Sequence, residues 1–466
     1  MDDLPRRLAG FVGAGAVLTA PADLAPYLLD HRRLYQGSAA AVVLPETTAQ
    51  VSQILSFCNA ARIPVVPQGG NTGYVGGATP LDAGSIVLAF GRMNRIRAVD
   101  AANFALVAEA GCTLAAVQQA ALQVDRLFPL SLGSEGTCQI GGNLATNAGG
   151  TAVLRYGMMR ELAFGVEAVL ADGSVLSQLA PLRKDNTGYD LAQLLIGSEG
   201  TLGVITAACL KLFARPRTTA TAWVAIPAPA AALELLARLR TASDDQLSTL
   251  ELVPDAALRL VLQHVAAARD PAVTASPWYL LVELASAADR DLDALLTACL
   301  ADAAAAGLVT DAAIAASAAQ REEFWRLRES VPEAQRRAGG SLKHDISVPV
   351  TSLPQLIEQG TELVARLAPE GILVAYGHAG DGNLHFNVNQ RAGTDALAFA
   401  AREAPLRRAV HDLVARFGGS FSAEHGIGRL KVEELRRYAQ PAGLAAMHRI
   451  KQALDPHGIL NPGKLL

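Results

Sequence analysis

At 466 residues, 51% of them hydrophobic and 18% charged, the chain is too long for one ordinary core and too apolar for disorder, which predicts two or three globular domains. A formal charge of −4 excludes a general attraction to nucleic-acid phosphates, and no uncharged apolar run reaches the roughly 18 residues that a membrane span requires. Five cysteines, odd in number and without CxxC spacing, exclude a disulfide scaffold, a zinc knuckle and an iron–sulfur cluster and fit a reducing compartment.

Near the start, Arg6 and Arg7 precede an apolar stretch over residues 8–20 that has the outline of a signal peptide. Gly10, Gly13 and Gly15 break it, however, so a short helix is expected there and the protein is expected in the cytoplasm. Short strands follow over 40–44, 64–67, 85–89, 105–109 and 166–170, with helical periodicity over 48–61 and 113–124, a mixed α+β layout. Near Pro216 the composition changes: alanine becomes abundant and glycine scarce. Strands over 222–226, 247–252, 278–283 and 308–313 alternate with alanine-rich helices over 230–240 and 291–305, which predicts helices on one face of an antiparallel sheet. After Tyr376 the glycine-rich style returns, as though the middle domain were inserted between two parts of one site.

Three segments concentrate glycine, asparagine and threonine. They are Pro67-Gln-Gly-Gly-Asn-Thr-Gly73 with Gly76 and Gly77, the stretch from Gly133 to Gly150, and Ile196-Gly-Ser-Glu-Gly-Thr-Leu-Gly203 running to Ile205. Amides left unpaired in such turns can converge on a pyrophosphate, which makes a dinucleotide cofactor one reading; ordinary tight turns are the other. Neither GxGxxG nor GxxxxGK[ST] occurs, which disfavours a Rossmann NAD site and a P-loop.

The densest chemistry lies in Tyr376-Gly-His-Ala-Gly-Asp-Gly-Asn-Leu-His385-Phe-Asn387 and in Glu424-His425-Gly-Ile-Gly428. Leu384 to Val388 alternates as a strand does, placing His385 and Asn387 on one polar face. Glu424 and His425 would diverge in a regular strand, but Gly426 and Gly428 permit a bent loop in which both approach one centre. Two histidines and a glutamate form a recurring ligand set for a divalent ion, with the remaining imidazole available as a base; the residues alone leave that reading and a hydrogen-bonded cluster both open.

Together, Pro67-Gln-Gly-Gly-Asn-Thr-Gly73, Leu182-Arg-Lys-Asp-Asn-Thr-Gly-Tyr-Asp-Leu191, Gly197-Ser-Glu-Gly-Thr-Leu-Gly203, Gly377-His-Ala-Gly-Asp-Gly-Asn-Leu-His385 and Glu424-His-Gly-Ile-Gly428 resemble the FAD-linked D-2-hydroxyacid dehydrogenases of the vanillyl-alcohol oxidase flavoprotein family. The likeness runs from about Ala40 through Lys464 and is strongest to the D-2-hydroxyglutarate dehydrogenase branch; glycolate and D-lactate members usually carry arginine and alanine in place of Gln68 and Gly69. It implies an α+β, two-lobed FAD-binding domain over 1–215, a cap domain of antiparallel sheet and helices over 216–420 for the substrate, and a segment 421–466 returning to the flavin.

The cofactor contacts so implied are Pro67, Gly69, Gly70, Asn71, Thr72, Gly73, Gly76 and Gly77 in the first loop, and Leu132, Gly133, Thr137, Gly141, Gly142, Asn143, Thr146, Asn147, Gly149 and Gly150 in the second. Glu199, Gly200, Gly203 and Ile205 follow in the third, with Asn461 in the closing turn. Covalently flavinylated relatives place a histidine in the first loop; none lies between Pro64 and Pro80, so FAD is expected to be non-covalent.

The expected reaction is oxidation of D-2-hydroxyglutarate to 2-oxoglutarate with hydride transfer to flavin, D-lactate and D-malate being alternative substrates and a flavin-binding electron-transfer subunit the alternative outside catalysis. His378, His385 and Glu424 are the expected ligands of a divalent ion, zinc first, then manganese or cobalt. His425 is the expected base and a substrate contact, and Arg328, Lys343 and Asn387 match family contacts to the substrate. One departure concerns specificity: where the family often has threonine four residues after the arginine, this chain has Pro332, which would loosen the preference for a five-carbon diacid. An external acceptor, an electron-transfer flavoprotein or a quinone, is expected, and the resemblance leaves room for a homodimer.

Overall fold

Two styles of sequence build two units in the computed structural model, which describes residues 3–466. One unit takes the chain up to Gly150, then Gly157–Arg215 and Glu424–Leu466; the other takes Thr151–Tyr156 and Pro216–Ala423. The composition change near Pro216 coincides with the start of the second unit's long segment. Thr151–Tyr156 carries no such mark and is tied to that unit by hydrogen bonds: the Thr249 hydroxyl donates to the Thr151 carbonyl at 3.1 Å, and Arg155 donates to the carbonyl of Ala285. Among the described residues no helix is long and apolar enough to cross a membrane.

In the first unit, the helix Thr48–Ala61 begins at a capping box made by Thr47 and Gln50. Its Val51, Ile54, Leu55 and Cys58 recur at helical spacing and are fully buried with Ala41, Val43, Val65, Ile86 and Leu88, each large apolar side chain contributing about 1.5–3 kcal/mol. The strands run Val17–Leu18, Ala41–Val43, Ile86–Ala89, Val65–Gln68, the last three parallel. A second sheet is antiparallel throughout, in the order Ile96–Asp100, Ala105–Glu109, Val204–Lys211, Ala163–Val169, Val175–Ser177. The first glycine-rich loop leaves the end of Val65–Gln68, and the third leads into Val204–Lys211. The closing segment returns beside them: Val65 donates its amide to the Ile459 carbonyl and accepts that of Asn461 at its own, both at 2.8 Å.

The second unit is built on an antiparallel sheet ordered Asp311–Ile314, Thr218–Ile226, Trp278–Ser286, Leu247–Pro254, Gly371–His378, Asn383–Gln390, Ser341–Leu342, with Asp345–Ser347 also on Asn383–Gln390. Helices cover both faces, where the sequence predicted one. Ala222, Val224 and Ile226 pack with the helices Pro229–Ala242, Leu292–Ala305, Leu353–Leu367 and Glu403–Arg416. Trp223 and Ala225 pack with Asp255–His264, Ala318–Glu329 and Val331–Ala338. The reason is visible in the strand: residues 220–226 are buried without alternation, so either side exposed to water would leave apolar surface uncovered.

Candidate active site

Within the first unit, parts of the three glycine-rich segments line a cleft. Every first-loop residue expected to touch the cofactor lines it, as do Gly141, Gly142, Asn143, Thr146, Glu199, Gly200, Gly203, Ile205 and Asn461. Leu132, Gly133, Thr137, Asn147, Gly149 and Gly150 are not in the lining. The Thr137 hydroxyl instead donates to the Ser134 carbonyl at 3.2 Å, and the Asn147 side chain accepts the Arg160 amide at 2.9 Å.

Residues that the sequence did not single out also line the cleft, Gln139 and Thr79 among them. Gln139 Oε1 and Thr79 Oγ1 are buried and find no hydrogen-bond partner among the described residues. Orphaned acceptors of this kind cost about 1–3 kcal/mol each, so the cleft is built for a polar-edged guest. Its apolar walls, Val75, Phe90, Ala110 and Val204, suit the flat part of such a guest. Gln139 stands before the helix Ile140–Ala145, a position that could have drawn attention; Thr79 carries no signal.

Glu199 is buried in the same unit, and its carboxylate accepts the amides of Ile427 and Gly428, each at 2.7 Å. Burial pushes its pKa up, against the opposing pull of those two amides. Asn461 secures the other side of the loop, donating to the carbonyls of Gly77 at 2.9 Å and Glu199 at 2.8 Å. Gly428 has φ +51°, and a Cβ there would meet the Val75 carbonyl oxygen at 2.5 Å, so only glycine makes this turn. The turn delivers His425 to the cleft, its ring 4.8 Å from that of Tyr74.

In the second unit, the hairpin of Gly371–His378 and Asn383–Gln390 carries the other two histidines. Its tip requires Gly382, φ +86°, where a Cβ would lie 2.1 Å from the Val348 carbonyl oxygen. The rings of His378 and His385 are 5.8 Å apart. Glu424 is peptide-bonded to Ala423, the last residue of this unit, whose amide donates to the Asp345 carbonyl at 3.3 Å. One ligand atom from each of His378, His385 and Glu424 lies within 4.8 Å of the others, two nitrogens and an oxygen suited to a divalent ion such as zinc.

Behind His378 stands a carboxylate that sequence reasoning missed. Glu251 Oε1 lies 2.5 Å from His378 Nδ1, and Glu251 Oε2 accepts Arg328 Nε at 2.7 Å. Burial works to raise the Glu251 pKa, but Arg328 and His378 outweigh it and hold the carboxyl at about 2. An ionised carboxylate only accepts, so His378 donates from Nδ1. Arg328 is buried and lies over the Tyr376 ring at 4.8 Å. Asn387 is also buried: it donates to Gln335 Oε1 at 3.0 Å and accepts the His344 amide at 3.2 Å. Lys343 is exposed, between the strands Ser341–Leu342 and Asp345–Ser347 that both pair with Asn383–Gln390. The polar strand face is thus largely bonded inward, with His385 its half-buried member next to the turn.

Residues 39–178 match the family described as "FAD binding domain", and residues 215–465 match "FAD linked oxidases, C-terminal domain". The chain is 41% identical over 453 residues to the mitochondrial D-2-hydroxyglutarate dehydrogenase of Bos taurus, covering 97% of this chain and 81% of that one. It belongs to the FAD-linked oxidases, among the D-2-hydroxyacid dehydrogenases. The D-2-hydroxyglutarate dehydrogenase of Xanthomonas citri pv. viticola is 37% identical over 447 residues, 96% of this chain and 93% of that one. The fold of this FAD-linked dehydrogenase is that of the vanillyl-alcohol oxidase flavoproteins. p-Cresol methylhydroxylase superposes with a TM-score of 0.77 at 18% identity, over 100% of this chain and 96% of that one. The cleft with its orphaned Gln139 and Thr79 oxygens fits the FAD that this family binds.

Proposed function

We propose that this FAD-linked dehydrogenase oxidises D-2-hydroxyglutarate to 2-oxoglutarate with the help of a divalent ion and passes the electrons to an external acceptor, an electron-transfer flavoprotein or a quinone. One observation carries the reading. His425 lines the glycine-walled cleft, and the residue peptide-bonded to it, Glu424, gathers with His378 and His385, so a single bond joins a candidate base to a candidate ion site. The two relatives named for D-2-hydroxyglutarate support the choice of substrate.

Bound FAD would supply a two-electron acceptor, and an ion held by His378, His385 and Glu424 would supply positive charge that lowers the pKa of an alcohol. His425 takes the substrate hydroxyl proton at a ring nitrogen, while the C2 hydrogen leaves with its electron pair. Arg328 and Lys343 hold the substrate carboxylates; Lys343, exposed, acts as a point charge, and Arg328 works from a guanidinium already oriented by Glu251. Asn387, fixed by Gln335 and His344, presents a rigid amide on the same strand face as His385. FAD is held without a covalent bond, so acid precipitation releases it to the supernatant.

Comparing kcat/KM for D-2-hydroxyglutarate, D-malate and D-lactate with an artificial acceptor tests the assignment. D-2-hydroxyglutarate leads if it is right; a clear lead for D-lactate removes the diacid from it. We propose the cytoplasm, a reducing compartment that the five buried free cysteines fit, and cell fractionation tests that placement against the mitochondrial location in the bovine relative's name.

A further inference from the structure

The strands Leu247–Pro254 and Gly371–His378 pair antiparallel with Glu251 opposite His378, which brings both side chains to the same face of the sheet. Glu251 is 1% exposed and divides its oxygens, Oε1 to His378 Nδ1 at 2.5 Å and Oε2 to Arg328 Nε at 2.7 Å. Arg328 lies over Tyr376, and the Tyr376 ring is 5.0 Å from that of its cross-strand partner His385. Buried His378 and half-buried His385 therefore belong to one cluster of packed side chains with Glu251 at its base.

We propose that Glu251 is a positioning residue for the metal site, holding His378 by Nδ1 so that Nε2 is the atom offered to the ion, and fixing Arg328 with its other oxygen. The inference rests on the metal reading above. Which imidazole nitrogen binds an ion is decided by the hydrogen bond the other one makes, and a carboxylate partner both orients the ring and raises its basicity. A ligating imidazole must stay neutral, so the carboxylate needs its countercharge elsewhere; Arg328, always protonated, provides it. A salt bridge serving stability alone would need Glu251 and Arg328, with no reason to spend the second oxygen on a histidine of the ligand set.

The test is zinc affinity of the full-length holoenzyme, measured by competition with a chromophoric chelator, with flavin retention as the check on folding. Glu251→Gln and Glu251→Asp are expected to bind zinc about 10- to 100-fold more weakly than the wild type. Unchanged affinity in both, with flavin retained, overturns the proposal and leaves the metal reading standing. A wild type that takes up no zinc, or keeps it undiminished after His385→Ala, overturns the metal reading and the proposal with it. Should both Glu251 variants lose flavin, the wild type decides: its 15N-histidine spectrum is expected to keep a proton on His378 Nδ1 and to show the zinc-dependent shift on Nε2. A zinc-dependent shift on Nδ1 refutes the inference.

Discussion

Glu199 and Gly428, 229 residues apart, are joined by a hydrogen bond of 2.7 Å from the glycine amide to Glu199 Oε2, and Oε1 takes the neighbouring amide of Ile427. The carboxylate therefore ties the third glycine-rich loop to the turn that carries His425. Glu199→Gln keeps one acceptor and turns the other oxygen into a donor facing a donor, at a cost of about 1–3 kcal/mol. Urea unfolding should show that loss, and kcat should fall while FAD stays bound, because the base is less firmly placed. An unchanged kcat would detach Glu199 from the positioning of His425.

Removing the ion should separate two functions. The cleft lies wholly within the first unit, whereas His378 and His385 belong to the second. Dialysis against a strong chelator should leave the visible flavin spectrum intact and abolish turnover, and His385→Ala should do the same. Return of activity on adding zinc, manganese or cobalt to the wild type identifies the metals that serve. Full turnover in chelated, metal-free enzyme would remove the ion from the reaction.

Lys464 is 2% exposed, and its pKa falls from 10.5 to about 8 because of burial, then the positive charge of Arg429, against the opposing charge of Glu199. Below about pH 8 both folded and unfolded states carry the proton, and the cost of burying the charge is present in full. Between about 8 and 10.5 the folded state has released it while the unfolded chain has not, so this group makes stability rise with pH, by on the order of 3 kcal/mol in all. Urea midpoints measured across that window should show the stability of the wild type relative to Lys464→Met increasing with pH. Parallel profiles would contradict the assignment.

Much of this fold was legible because its signals are local. The helix Thr48–Ala61 announces itself through the Thr47 cap and buried residues at helical spacing, and the strands of the second unit begin or end within a few residues of their apolar runs. The helices on the second face were not legible, since a run such as Ala222 to Ile226 has no alternation from which to read two buried sides. The histidines of the candidate site stood out because glycine-rich turns have no packing use for them. Glu251 did not: it sits in Leu247–Pro254, an ordinary-looking strand, and meets His378 across 127 residues. The second glycine-rich stretch is divided: Gly141, Gly142, Asn143 and Thr146 line the cleft, while Leu132, Gly133, Thr137, Asn147, Gly149 and Gly150 lie outside its lining. Thr137 and Asn147 satisfy their polar groups locally, and sequence does not distinguish such a turn from one that faces a ligand.

Pro332 occupies the first turn of the helix Val331–Ala338, where proline is tolerated because its missing N–H has no intrahelical partner, and its side chain is exposed. Threonine fits the same place. Pro332→Thr should raise the kcat/KM ratio of D-2-hydroxyglutarate over D-lactate by roughly 10- to 150-fold, the value of one added hydrogen bond to a charged group. An unaltered ratio would mean that position 332 does not report on the distal carboxylate.

The reaction itself is tested most directly by mixing the purified holoenzyme with D-2-hydroxyglutarate in the absence of oxygen and recording the visible flavin band. The account predicts bleaching with one 2-oxoglutarate formed per flavin, lost in His425→Ala. A flavin that dithionite bleaches but that D-2-hydroxyglutarate, D-malate and D-lactate all leave oxidised would contradict it.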